Sequence, residues 1–156
     1  MGPTDEADLR LRPAAEADLP ALAEIYLEAR AAAAMPPGVH PEREVREWYA
    51  GWDLAALEVW VAETSGGVVG FAAVRESWLE SLYVVPAAAG RGVGSALLDL
   101  VKAIRPDGFE LWVFEVNTPA RAFYRARGLT ELERTDGSGN EEQAPDIRVG
   151  WSPPRD

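Results

Sequence analysis

The chain has 156 residues, 47% of them hydrophobic and 26% charged, with six Trp; it is long and apolar enough for one folded domain and too aromatic for a disordered one. Acidic residues outnumber basic ones 26 to 15, a formal net charge of −11, which argues against general affinity for nucleic acid or an anionic membrane. With no Cys and a single His, a disulfide scaffold, a thiol nucleophile, an iron–sulfur cluster and a multi-histidine metal centre are excluded, and no metal is expected.

No apolar run approaches the ~20 residues of a membrane helix, and residues 1–11 are acidic and polar, unlike a secretory signal. The expectation is a soluble cytoplasmic protein, a single domain over residues 1–156 with residues 1–7 frayed. Leu9-Arg10-Leu11-Arg12 alternates apolar and charged residues and stops at Pro13, the pattern of an edge strand. A helix comes next, with Asp18 as its cap and Pro20 in its first turn. Its inner stripe is Leu19, Leu22, Ile25, Tyr26 and Ala29, and the alanine run 31–34 extends it until Met35-Pro36-Pro37-Gly38 breaks it. Residues 41–52 read as a charged second helix carrying Val45, Trp48, Tyr49 and Trp52. Strands at 58–63 and 68–74 flank the hairpin turn Ser65-Gly66-Gly67. The next strand, 78–85, is apolar on both faces except at Glu80 and Ser81, which predicts a central place in the sheet.

A glycine-rich loop then opens a strong helix whose stripe is Val93, Ala96, Leu97, Leu100, Val101 and Ile104, ended by Pro106-Asp107-Gly108. A buried strand spans 109–116. A helix over 119–127 starts with Thr118 as cap and Pro119 in first position, and stops at Gly128. Two last strands, 129–134 and 146–151, enclose the polar loop 136–144. The order β-α-α-β-β-β-α-β-α-β-β predicts an α/β domain with an antiparallel meander and one strand–helix–strand crossover.

The loop Gly90-Arg91-Gly92-Val93-Gly94-Ser95 is the most informative stretch. Glycines let successive backbone N–H groups converge without Cβ obstruction, and a helix N-terminus behind them favours negative charge. The result is an anion cradle suited to a pyrophosphate. A dinucleotide on a Rossmann unit fits poorly: Ser95 stands where a third glycine belongs, residues 86–89 separate strand from loop, and an antiparallel meander precedes it. A Walker A loop is excluded, because no Gly-Lys-Ser/Thr is present after the glycines.

Leu82-Tyr83-Val84-Val85-Pro86, followed by Gly90-Arg91-Gly92-Val93-Gly94-Ser95-Ala96-Leu97-Leu98, resembles the acetyl-CoA signature of the GNAT superfamily of N-acetyltransferases. Asn117-Thr118-Pro119-Ala120, then Phe123-Tyr124, then Gly128-Leu129, is similar to that family's second motif. The resemblance covers nearly the whole chain. It implies a central mixed, mostly antiparallel sheet flanked by helices, with splayed strands at the acyl-CoA site. Two positions depart from the pattern: Ala89 stands where Gln or Arg is usual, and Leu129 replaces Phe.

By this resemblance the main chain of Leu82, Tyr83 and Val84 pairs with the pantetheine arm. Gly90, Arg91, Gly92, Val93, Gly94 and Ser95 hold the pyrophosphate, and Asn117 and Ala120 meet the cofactor at the next strand–helix junction. Tyr124 is the acid that protonates the leaving thiolate, which at a thiol pKa of about 8.5 needs only modest help. An amine of pKa about 10.4 is almost wholly protonated at pH 7, so a base is needed too. Glu80 is the best candidate: alternation puts it on the face of Trp78 and Val84, and a carboxylate enclosed by Trp78, Leu79 and Leu82 holds a proton more readily. The bland reading is an ion pair with Arg75. Glu115 reads as a paired structural carboxylate. The acceptor wall is expected from Tyr26, Arg30, His40, Trp48, Tyr49, Trp52 and the loop 136–144.

The implied activity is transfer of an acetyl group from acetyl-CoA, as cosubstrate, to a primary amine on a small molecule or peptide, by direct attack in a ternary complex. A homodimer through the late strands is common in the family. The alternative from another class is a non-catalytic acyl-CoA-binding or regulatory domain, which the intact Tyr124 disfavours. A dinucleotide oxidoreductase comes third.

Overall fold

Strands with no polar face need cover on both sides, and the middle of this chain has three. The computed structural model describes residues 8–33 and 35–154; the expected fraying of residues 1–7, and the end of the alanine run at residue 34, lie outside them. β2 (Glu58–Thr64), β3 (Gly67–Arg75) and β4 (Trp78–Val84) form an antiparallel meander. In β3, Phe71 and Ala73 point to one side and Ala72 and Val74 to the other, all 1% exposed or less. The amphipathic helices supply the cover. α1 (Leu19–Ala32) and α2 (Glu42–Ala50) pack Leu22, Ile25 and Tyr49 against Val59, Val61 and Phe71. On the opposite face α3 (Val93–Ile104) packs Leu97, Leu98 and Val101 against Ala72, Val74 and Leu79.

β5 (Phe109–Phe114), β6 (Thr130–Thr135) and β7 (Asp146–Trp151) complete a seven-stranded sheet in the order β1-β2-β3-β4-β5-β7-β6. β1 (Arg10–Pro13) lies at one edge, as its alternation and Pro13 predict, and the charged β6 lies at the other. β4 is central, as its two apolar faces predict. Every neighbouring pair is antiparallel except β4 and β5, the two ends of the crossover through α3. α4 (Thr118–Ala126) joins β5 to β6 on the α3 face, with Phe123 and Tyr124 against that core. No helix among the described residues is long and apolar enough to cross a membrane.

Local details depart from the sequence reading where side chains find better partners. The Asp18 carboxylate does not cap α1; it accepts the Ala15 N–H at 2.7 Å and both arms of Arg12 at 2.8 and 2.9 Å, which lowers its pKa. β5 stops at Phe114, where the chain turns so that the Asn117 N–H reaches the Phe114 carbonyl at 3.0 Å.

Two irregularities in β4 set the geometry of the sheet centre. Ala73 pairs with Ser81 but Val74 with Leu79, so Glu80 is the extra residue of a β-bulge. Beyond the bulge, Leu82 and Val84 join the α3 core while Tyr83 faces α1 and α2. β4 and β5, moreover, register only at Trp78 opposite Glu110 and then splay apart. The β5-facing edge of β4 past that point has main-chain groups without a ladder partner among the described residues.

Candidate active site

Gly92 caps α3 at φ +84°, in the left-handed region that a side chain would strain. Gly94 is needed for a different reason: a Cβ there would sit 3.3 Å from two ring carbons of Phe123, so the glycine brings α3 close to α4. The first-turn N–H groups of α3 have no partner within the helix. They border a cleft of about 340 Å³ between the loop Gly90, Gly92, Gly94, Ser95 and a facing wall of Ala120, Phe123, Tyr124 and Arg127. No carboxylate among the described residues lines it. A phosphate-bearing ligand fits such a cradle. The Val93 side chain is 5% exposed in the core, and Arg91 lines a neighbouring hollow with Thr64, Ser65 and Ala87. A contact by Val93 to a ligand in the cleft is therefore a main-chain contact.

The splay of β4 from β5 opens a second cleft of about 170 Å³, with Leu79, Leu82 and Tyr83 on one wall and Leu111, Trp112 and Val113 on the other. Its end is closed by α4. Asn117 caps that helix, one residue earlier than the expected Thr118: its Oδ1 accepts the Ala120 N–H at 3.3 Å. Tyr124 lines both clefts. Its hydroxyl makes no hydrogen bond among the described residues and is not sealed from the cleft. Burial pushes its pKa up, so it stays protonated at neutral pH. Leu82 and Val84 line the glycine-loop cleft with their side chains, while burial among Tyr26 and Phe71 raises the pKa of Tyr83 on the other face.

Glu80 stands at the splay but not as alternation placed it. The bulge turns it away from the face of Val84, its side chain is 45% exposed, and its Oε1 accepts from Arg75 Nε at 3.1 Å. The apolar enclosure expected of it is absent, because a cross-strand register shift is invisible in one strand's pattern.

A third pocket, about 540 Å³, lies on the α1–α2 face. Tyr26, Trp48, Tyr49 and Tyr83 give it aromatic walls, and the carboxylates of Glu44, Glu80, Glu141 and Glu142 line it. His40 bridges Glu44 at 3.4 Å and Glu141 at 2.8 Å, linking the approach to α2 to the β6–β7 loop; both carboxylates raise its pKa. Arg30 stands behind, 3.5 Å from Glu142 and donating to the Tyr26 hydroxyl at 3.2 Å. Trp52 packs into the core against Tyr49 and Phe71 instead. Glu115 pairs with Arg134, which lowers its pKa. The sequence reading missed Glu44, Ser81 and Arg127. Glu44 is legible, four residues before Trp48 on one helix face; Arg127 carries no signal, since nothing in the sequence places the end of that helix against the glycine loop.

The three cavities share walls. Leu82, Ala120 and Tyr124 are common to the glycine-loop cleft and the splay, and Glu80, Ser81 and Tyr83 to the splay and the acidic pocket. The three cavities thus adjoin along β4 where it parts from β5, with an anion cradle at one end of the row and carboxylates at the other.

Residues 55–131 match the acetyltransferase (GNAT) domain family. The chain is 32% identical over 126 residues to the peptidyl-lysine N-acetyltransferase YiaC of Escherichia coli (strain K12), an alignment covering 76% of this chain and 82% of that protein. Its fold is similar to the crystal structure of a GCN5-related N-acetyltransferase from Rhodopseudomonas palustris, with TM-score 0.77 and 22% identity over 93% of this chain and 96% of that one. It is also similar to yncA of Salmonella typhimurium, solved with its cofactor acetyl-CoA, with TM-score 0.71 and 22% identity over 96% of each chain.

Proposed function

Given that the chain belongs to the GNAT acetyltransferase family, we propose that it transfers an acetyl group from acetyl-CoA to a cationic primary amine, on a small molecule or a peptide, by direct attack within a ternary complex. The observation that carries this reading is the row of adjoining clefts along β4, with Tyr124 lining both the glycine-loop cleft and the splay. Acetyl-CoA supplies an activated acyl group as a thioester. The N–H groups of Gly92, Gly94 and Ser95 hold its phosphates at the positive end of α3. The free edge of β4 at Leu82, Tyr83 and Val84 pairs with the amides of its arm as an added strand would, and an N–H of that edge polarises the thioester carbonyl. Asn117 and Ala120 close the arm's far side.

The amine enters from the acidic pocket. Glu44, Glu141 and Glu142 draw it in as a cation, and Glu80, directly or through a water, takes its proton at the mouth of the splay. The amine nitrogen then bonds to the acetyl carbon, the carbon–sulfur bond breaks, and Tyr124 donates its proton to the departing thiolate; the proton that the nitrogen sheds on becoming an amide restores the Tyr124 hydroxyl through water, and Glu80 returns the ammonium proton to solvent. The name of the Escherichia coli relative favours a lysine-like acceptor. A panel of primary amines, including lysine peptides and polyamines, at saturating acetyl-CoA tests the reading through CoA release. Turnover with cationic amines is expected; uptake of CoA without turnover of any amine would leave only a binding domain.

A further inference from the structure

We propose that Arg127 is a phosphate-binding residue of this chain, its guanidinium donating to the anion that the glycine loop holds; this rests on acetyl-CoA as the cosubstrate. Arg127 lies at the end of α4, outside the glycine loop, yet it forms part of the wall facing that loop. Among the described side chains lining the cleft, only Ser95, Tyr124 and Arg127 are polar, and Arg127 is the single cation.

Its position is fixed in advance of any ligand. Nε donates to Ser95 Oγ at 2.8 Å and Nη1 to the Phe123 carbonyl at 3.0 Å, and the guanidinium carbon lies 3.9 Å from the centre of the Phe123 ring. Lys102 Nζ pins the Arg127 carbonyl from behind at 2.7 Å. These contacts leave Nη2 without a partner among the described residues. A guanidinium held in one geometry loses little further freedom on binding phosphate.

Its charge is met by a ring face and a carbonyl rather than by a carboxylate. Arg12, Arg46, Arg105, Arg121 and Arg148 each pair with a carboxylate, in a chain of net charge −11, whereas Arg127 has no carboxylate partner among the described residues. Through Ser95 it is docked on the first turn of α3, the positive pole of that helix. A cation there opposes the dipole of α3. An anion between the first-turn N–H groups and the guanidinium reverses the sign of that interaction, and charge-assisted bonds of this kind are the strong ones.

Calorimetric titration of the purified chain with CoA and with 3′-dephospho-CoA, at several salt concentrations, tests this. Arg127→Gln is expected to raise the Kd for CoA about ten- to hundred-fold and to flatten its dependence on salt, with Arg127→Lys losing less. The two ligands identify which phosphate is held: equal losses for both point to the pyrophosphate, and a loss confined to CoA points to the 3′-phosphate. Arg127→Gln binding CoA with the wild-type Kd overturns the proposal. So does weakened binding with an unchanged salt dependence, the mark of a residue that only braces the loop; Arg127→Lys, which keeps the charge but not the fork to Ser95 and Phe123, should then do as badly as Gln. Wild-type chain that takes up no CoA at millimolar concentration would overturn the cosubstrate reading itself.

Discussion

The Tyr124 hydroxyl serves no partner among the described residues and lines the splay, so it is placed to donate to whatever enters there. Tyr124→Phe keeps the ring that packs edge-on against Phe123 and removes only the donor. We expect kcat to fall about 10–100-fold, the low end of acid catalysis because a thiolate is a good leaving group, with the Kd for acetyl-CoA essentially unchanged. Steady-state kinetics beside direct titration separates the two, and an unchanged kcat removes the acid role. Glu80→Gln keeps size but accepts no proton. If Glu80 is the base, the defect shrinks as pH rises toward the amine pKa of about 10.4, where free amine becomes abundant. A defect flat with pH assigns Glu80 to its ion pair with Arg75 alone. These two residues also mark how far side-chain reading reaches. Tyr124 was legible because its motif fixes it two helical turns after Asn117. Glu80 was found, but its surroundings were not: the bulge that exposes it is a relation between β3 and β4, and neither strand shows it alone.

Helices and strands announce themselves by period, and here all eleven fall in the expected order. What periodicity cannot supply is divergence. β4 and β5 are both apolar and both central, and nothing in either says that they meet only at Trp78 and Glu110; the splay entered through family resemblance. The glycine loop is the element whose failure should be cleanest. Gly92→Val forces a β-branched residue to φ +84° at the cap of α3, costing about 1–3 kcal/mol of stability. The expected outcome is a folded protein by circular dichroism that fails to take up CoA at concentrations saturating the wild type; normal CoA affinity would put the cradle elsewhere. Between elements, the His40 link from the approach to α2 to the β6–β7 loop is pH-dependent. Since Glu141 and Glu44 raise the imidazole pKa above its ordinary 6.5, the charged link is fully present below that value and is lost as pH climbs through the raised one. As the chain has one His, an NMR titration reads it directly; the midpoint should lie above 6.5 and return toward it in Glu141→Gln.

For the molecule as a whole, binding to the native state must appear as stability. CoA at 100 times its Kd adds about 2.7 kcal/mol, which for a chain of this size raises Tm by about 5–11 °C. NAD at the same concentration should leave Tm where it was; equal shifts would return the dinucleotide reading to contention. The placement of the clefts has a consequence for traffic. The glycine-loop cleft opens on the side of α3 and α4 and the acidic pocket on the side of α1 and α2, so with acetyl-CoA in the one and the amine in the other, as proposed, the two substrates do not queue at one mouth. Acetylated amine can depart while spent CoA still occupies its own entrance, and a fresh amine can arrive before CoA has gone. Product inhibition should record the two doors: CoA competes with acetyl-CoA and not with the amine, while the acetylated product competes with the amine and not with acetyl-CoA.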